Sequence, residues 1–248
     1  MIKKKIPLSL GLPCLSILYL ALFGLPVCAP AYASPLILTT SNTYPLSTPE
    51  GTGFEDKIFA EAFRRIGREV RIIHLPAERA ILQADQGMND GTFLRIAGQE
   101  KNYPNLIRVP EKIWTFEWIV FSKKAELPIK DWEGLSPYDV GIVRGCKVSE
   151  AHIRQTRSLT RVPDTEALFN LLIHDRADLV VFDRLQGLAH IKSKGLSEVK
   201  PHDSVLASRD MFLYLHRRHA QLVAPLAAAL KGMKADGTFQ RLVDSVVK

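Results

Sequence analysis

The sequence predicts an α/β protein built on parallel sheet, and three observations predict it. Short apolar runs, each about the length of a strand buried on both faces, alternate with segments whose apolar residues recur at helical spacing. Capping and turn residues fall between them. The resulting order of strand, helix, strand, helix, strand is that of right-handed crossovers. The clearest unit runs from Ala167 to Gly187. Ala167, Leu168, Leu171 and Leu172 share a helical face, Asp164 and Thr165 stand where an N-cap belongs, and Glu166 suits the first turn. Ala177 to Phe182 is then a nearly unbroken apolar run that stops at Asp183, before a second helix carrying Leu185, Leu188 and Ile191. Ligands of open α/β sheets bind just beyond the carboxyl ends of the strands, and Asp183 stands at such an end.

The other elements follow in order. Pro35 to Thr40 reads as a buried strand and passes into a polar loop, Ser41 to Gly53, containing Tyr44-Pro45. Phe54 to Ile66 is an amphipathic helix, with Phe54, Ile58, Ala62, Phe63 and Ile66 on one face. Glu55 and Asp56 suit its N-terminus and Gly67 its C-terminal cap. Val70 to Leu75 is a strand. Pro76 opens a short helix carrying Glu78 and Arg79 and ending at Gly87, and Asp90 to Ile96 is a strand with Arg95 at its carboxyl end. Trp114 to Phe121 is a long apolar strand leading into the charged stretch SKKAELP, where the chain is expected to cross between domains. Asp139 to Val143 is a strand, and Lys147 to about Arg157 a helix. Pro201 to Asp210 is polar and irregular and reads as the return crossing. Met211 to His216 is the last strand, and Leu222 to Lys234 and Thr238 to Val247 are closing helices.

Residues 1–33 read as a signal peptide. Lys3, Lys4 and Lys5 precede an apolar run from Ile6 to Val27, and Ala31-Tyr32-Ala33 places small residues where a signal peptidase reads them, so cleavage is expected before Ser34. Gly11, Pro13, Gly24 and Pro26 interrupt the run, which favours cleavage over a retained anchor. Loss of three lysines leaves only a modest basic surplus from the +7 of the whole chain, and the basic residues are scattered, so nucleic acid is not an expected partner. Cys14 and Cys28 leave with the leader. Cys146 then stands alone, and the fold depends on its hydrophobic core.

The order of elements and several motifs together resemble the periplasmic solute-binding proteins of ABC importers, in particular the group that binds polar amino acids. Tyr44-Pro45 and Gly53-Phe54-Glu55 match its N-terminal motifs. Arg176-Ala177-Asp178, Leu179 to Phe182 and Asp183 match its second-lobe run, and Asp236-Gly237-Thr238 its C-terminal turn. The resemblance covers nearly all of the mature chain and implies two α/β lobes, each a mostly parallel sheet flanked by helices, closing about a hinge on a small solute. Residues 34–121 and 208–248 form the first lobe and 122–207 the second. It further implies a monomer in the periplasm that binds an amino acid or related carboxylate without cofactor, metal or catalysis and hands it to an inner-membrane permease. Two departures stand out: Thr92-x-x-Arg95 lies closer to Asp90 than in the family pattern, and Gly145-Cys146 stands where Gly-Thr is usual.

Six residues are candidates for the ligand. Asp183 would accept the hydrogen bonds of an ammonium, its other reading being an N-cap. Arg95 would take a carboxylate in a bidentate fork, the alternative being a surface pair with Asp90 or Glu100. Arg79 is a second cation facing the same side. Gly145 and Cys146 open a helix whose free N–H groups could cradle an anion; no His or Asn stands in a recognisable arrangement with Cys146. Tyr44 has two readings, a ring stacked over the ligand and a packing residue of its loop. His216 and His219 lack a third partner for a metal. Two other functions stay open on the same fold. One is a dehydratase of the cyclohexadienyl type, with Glu78, Glu100 or Glu150 as proton donor. The other is a ligand-sensing module acting on a membrane receptor.

Overall fold

The computed structural model describes residues 34–124 and 127–247; the expected leader lies outside them. The strands are β1 (Leu36–Thr40), β2 (Val70–His74), β3 (Gly91–Ile96), β4 (Leu106–Arg108), β5 (Trp114–Ser122), β6 (Asp139–Val143), β7 (Ser158–Val162), β8 (Leu179–Asp183) and β9 (Lys200–His216). The helices are α1 (Phe54–Arg65), α2 (Ala77–Asp85), α3 (Lys147–His152), α4 (Thr165–Ile173), α5 (Arg184–Lys194), α6 (Ala220–Ala235) and α7 (Thr238–Val247). Among the described residues no helix is long and apolar enough to cross a membrane.

The strands lie in the order β2-β1-β3-β9-β5-β8-β6-β7, with β4 also on β9. Each end is a parallel set, β2-β1-β3 on one side and β8-β6-β7 on the other. The two antiparallel strands β5 and β9 join them. The expected α/β architecture with parallel sheets wound by helices is therefore present, as two lobes.

The first lobe is held by the apolar face of α1. Phe54, Ile58, Phe59, Ala62 and Phe63 are all fully buried, and Phe59 packs on Phe93 of β3 with ring centroids 4.5 Å apart. α1 starts where it does because Asp56 accepts hydrogen bonds from Gly53 N and Thr48 N, both at 2.9 Å, and from the Ser47 hydroxyl. Gly53 has no tolerated replacement, since a Cβ there would sit 2.2 Å from the Leu46 carbonyl oxygen. That close approach gives the Gly-Phe-Glu motif a physical cause.

Two readings are corrected. Pro201 to Asp210 is no irregular crossing but the first half of the 17-residue β9, hydrogen-bonded to β5. Its polar composition follows from pairing on one side only among the described residues; from Met211 onward the strand gains β3 and β4, and Met211, Leu213, Tyr214 and Leu215 are buried. The expected lobe junctions at 121/122 and 207/208 therefore fall inside β5 and β9. The helix from Lys147 ends at His152 rather than Arg157, and Ser158–Val162, half-exposed and carrying Arg161, is the edge strand β7. β4, only three residues long, is a further strand that periodicity could not mark.

The helix α5 is seated on β5 by Gly187, where a Cβ would meet the fully buried Phe121 ring at 2.2 Å. Gly187→Val should thus overpack this contact, costing about 1–3 kcal/mol. Urea denaturation is the measurement, and an unchanged midpoint would show that α5 does not rest on Phe121.

Candidate functional site

The carboxyl ends of β1, β3 and β8 and the first turns of α1, α2, α3 and α5 meet where the two parallel sets face each other. Contacts between the sets mark the place. Gln186 Oε1, in the first turn of α5, accepts from Thr43 N at 3.1 Å and from the Thr43 hydroxyl at 3.2 Å. Lys147 Nζ of α3 stands 3.9 Å from Glu78 Oε1 of α2. A Cβ on Gly145 would lie 3.7 Å from Ala77 Cβ.

Asp183 ends β8 and is 3 % exposed. Its Oδ1 accepts from Gln186 N at 3.0 Å, so it does cap α5. Burial nevertheless dominates: the carboxyl is pushed up to about 6 by desolvation, against the lowering effect of the Gln186 hydrogen bonds. A helix cap alone gives no reason to place a carboxylate this deep, since an asparagine caps as well.

Arg95 is positioned by a β-bulge. Thr92 pairs with Tyr214 and Arg95 with Phe212, so three residues of β3 advance against two of β9, and Leu94 takes up the difference at φ +52°. The extra residue breaks the two-residue alternation and brings Thr92 and Arg95 to one side, where Arg95 Nε donates to Thr92 Oγ1 at 3.3 Å and Nη2 to Ala77 O at 3.0 Å. Its expected surface partners are engaged elsewhere. Asp90 holds Ile37 N, Arg218 and His219, and Glu100 accepts from the Tyr214 hydroxyl. Arg95 has no ion-pair partner among the described residues. Desolvation lowers its pKa to about 10, and it remains charged at neutral pH.

The other candidates are placed differently. Tyr44 is 49 % exposed, and its hydroxyl donates to Val246 O of α7 at 3.1 Å, which ties the ring to the C-terminal helix. Arg79 is exposed on α2. Gly145 N, expected to meet an anion, donates to Glu150 Oε1 at 3.0 Å. Cys146 Sγ accepts from Trp118 Nε1 at 3.2 Å and lies 3.3 Å from Ser149 Oγ; Trp118 is the β5 residue paired with Asp183. Of the glutamates, Glu78 and Glu150 both stand near Lys147, and Glu100 lies under Tyr214. His219 is committed to Asp90, and His216 Nδ1 accepts from Arg218 N.

Sequence reasoning missed Thr43 and Gln186, which bridge the sets, and Glu55, which is fully buried near Asp183. Burial, then the charges of Asp56 and Asp183, raise the Glu55 carboxyl well above the ordinary glutamate value. First-turn acids are so common that its position carried no signal.

No family model matches the chain. An uncharacterised protein of Shewanella oneidensis is 28% identical over 191 residues, covering 74% of this chain and 72% of its own. Among solved structures, an ancestral arginine-binding protein bound to arginine superposes with a TM-score of 0.75 at 20% identity, covering 87% of this chain and 99% of that one. The GluR0 ligand-binding core from Nostoc punctiforme in complex with L-glutamate gives 0.72 at 22%, covering 86% and 99%. The chain has the two-lobed fold of the periplasmic binding proteins. Asp183 ends β8 and Arg95 stands one residue from the end of β3, one in each parallel set, and strand ends are where α/β sheets take ligands.

The raised proton affinity of Asp183 makes a stability prediction. Between pH about 4 and 6 the folded state holds a proton that the unfolded state releases, so this group's contribution to stability falls as pH rises through that window and is a cost above it. Asp183→Asn keeps a capping oxygen and removes the cost. The ligand-free variant should gain on the order of 3 kcal/mol at pH 8 (about two units at 1.36 kcal/mol each) and nothing at pH 4. Thermal unfolding at both values checks this; a difference independent of pH would assign Asp183 a capping role only.

Proposed function

We propose that the chain is an exported binding protein that closes on a small amino acid, Asp183 taking the ammonium and Arg95 the carboxylate. One observation carries the reading. A desolvated guanidinium with no ion pair among the described residues and a buried carboxylate stand at the carboxyl ends of β3 and β8, one in each parallel set. Each charge is costly where it sits, and a zwitterion between them offsets both. The neighbours in fold support it, since one holds arginine and another L-glutamate. The first lobe comprises residues 34–121 and 208–248 and the second 122–207. The protein works as a monomer in the periplasm after cleavage before Ser34, delivers its solute to an ABC permease and catalyses no reaction. Thr43–Gln186 and Glu78–Lys147 then close the lobes over the ligand, expelling water and strengthening each polar contact inside.

A screen of the amino acids by calorimetry identifies binders, and small-angle scattering should show a smaller radius of gyration on saturation. With any amino acid that binds, Arg95→Ala should weaken affinity on the order of 100- to 3000-fold, the cost of leaving a buried charge uncompensated being about 3–5 kcal/mol. It should discriminate less between that amino acid and its carboxamide than the parent does. Binding of no amino acid, or a parent-like affinity for Arg95→Ala, overturns the assignment.

A further inference from the structure

Glu55 presents a problem that the reading above leaves unsolved. Its residue is 0 % exposed, and neither carboxylate oxygen has a well-formed hydrogen bond among the described residues. The Asn42 amide, 8 % exposed, acts on the carboxyl as a hydrogen-bonding group that lowers its proton affinity, yet its Nδ2 makes no well-formed bond to either oxygen or to any other atom of the described residues. Protonation does not resolve this, because a neutral Glu55 would still bury an O–H with no acceptor. Nor does a structural duty. The cap of α1 belongs to Asp56, which already holds Gly53 N, Thr48 N and the Ser47 hydroxyl. The dipole of α1 favours a first-turn acid, but only by a fraction of what desolvating an unpaired carboxylate costs.

The charges around it give the answer. Glu55 faces Asp56 and Asp183, both acidic. Asp56 is satisfied by its three donors. Asp183 and Glu55 together outnumber Arg95, so a zwitterion placed between Asp183 and Arg95 brings no cation to Glu55 and leaves its buried carboxyl, which its surroundings keep from ionising, without a partner. Resting on the amino-acid reading, we propose that Glu55 is a second ligand-binding carboxylate, and that the solute is an amino acid whose side chain carries a cation. The side-chain ammonium or guanidinium meets Glu55 while the α-ammonium meets Asp183. A small turn of the Asn42 amide lets Nδ2 donate to one Glu55 oxygen and leaves the other for the ligand. Without a cation beside it the carboxyl stays buried and unpaired, so it selects against neutral ligands.

The test uses the mature chain and calorimetry with L-arginine and L-lysine, against L-citrulline, the uncharged isostere of arginine, and L-glutamine. The parent is expected to bind arginine or lysine at least 30-fold tighter than citrulline. Glu55→Gln should cut affinity for the cationic ligands by at least 30-fold, leave citrulline within threefold, and melt, when empty, no lower than the parent. A structural role moves a different readout: melting several degrees lower together with loss of citrulline binding would overturn the proposal. So would a parent that binds citrulline or glutamine as tightly as arginine, or a variant that keeps the preference for arginine. Those results leave the amino-acid reading standing. Failure of every amino acid to bind overturns that reading, and this one with it.

Discussion

The antiparallel ladder of β5 and β9 is the constraint on which the rest depends. Each parallel set is a small sheet, the main apolar core takes in residues of both (Leu38 and Phe93 with Val140 and Leu179), and among the described residues only these two strands carry the chain from one set to the other. β5 delivers Trp118 beside Asp183, and β9 supports the bulged strand that carries Arg95. A connection of paired strands, rather than of loops, permits only a narrow range of relative directions because its hydrogen bonds must survive. Asp183 and Arg95 are held on strands that this one ladder joins.

The residues gathered in the cleft share a cost. Asp183 is desolvated beyond what a cap requires, and among the described residues Arg95 has no ion-pair partner and the Glu55 carboxylate oxygens have no well-formed hydrogen bond. None of these is explained by the stability of the empty protein. Stability is supplied elsewhere, by the buried face of α1 on β3 and by Gly187 against Phe121. Such a division, a well-satisfied frame around poorly satisfied polar groups, is what a binding site looks like when its last partners arrive with the ligand.

Much of the frame was legible in the sequence. The helix starting at Phe54 and the buried run ending at Asp183 were marked by periodicity and by abrupt polarity, because both elements face a core on their apolar side. The first half of β9, β7 and β4 were not, because they are edge, half-paired or very short strands, and their solvent-facing residues read as loop. Within the site, Asp183 could be found from where its strand ends. Arg95 could be named, but its neighbours could not: in a regular strand Thr92 and Arg95 point to opposite faces, and only the bulge at Leu94 puts them together. Glu55 was hidden by resembling an ordinary first-turn acid. Thr43–Gln186 is a contact across 143 positions of sequence, which no local pattern encodes.

The bulge in β3 also determines which kind of mutation the site can survive. Thr92 and Arg95 share a face only because the bulge at Leu94 lets three steps of β3 match two of β9. Deleting one residue between them leaves two steps on each strand, so the guanidinium keeps its face and its place opposite Phe212, and only the left-handed residue is lost. Position 94 is therefore where this strand can change length by one residue without re-aiming Arg95.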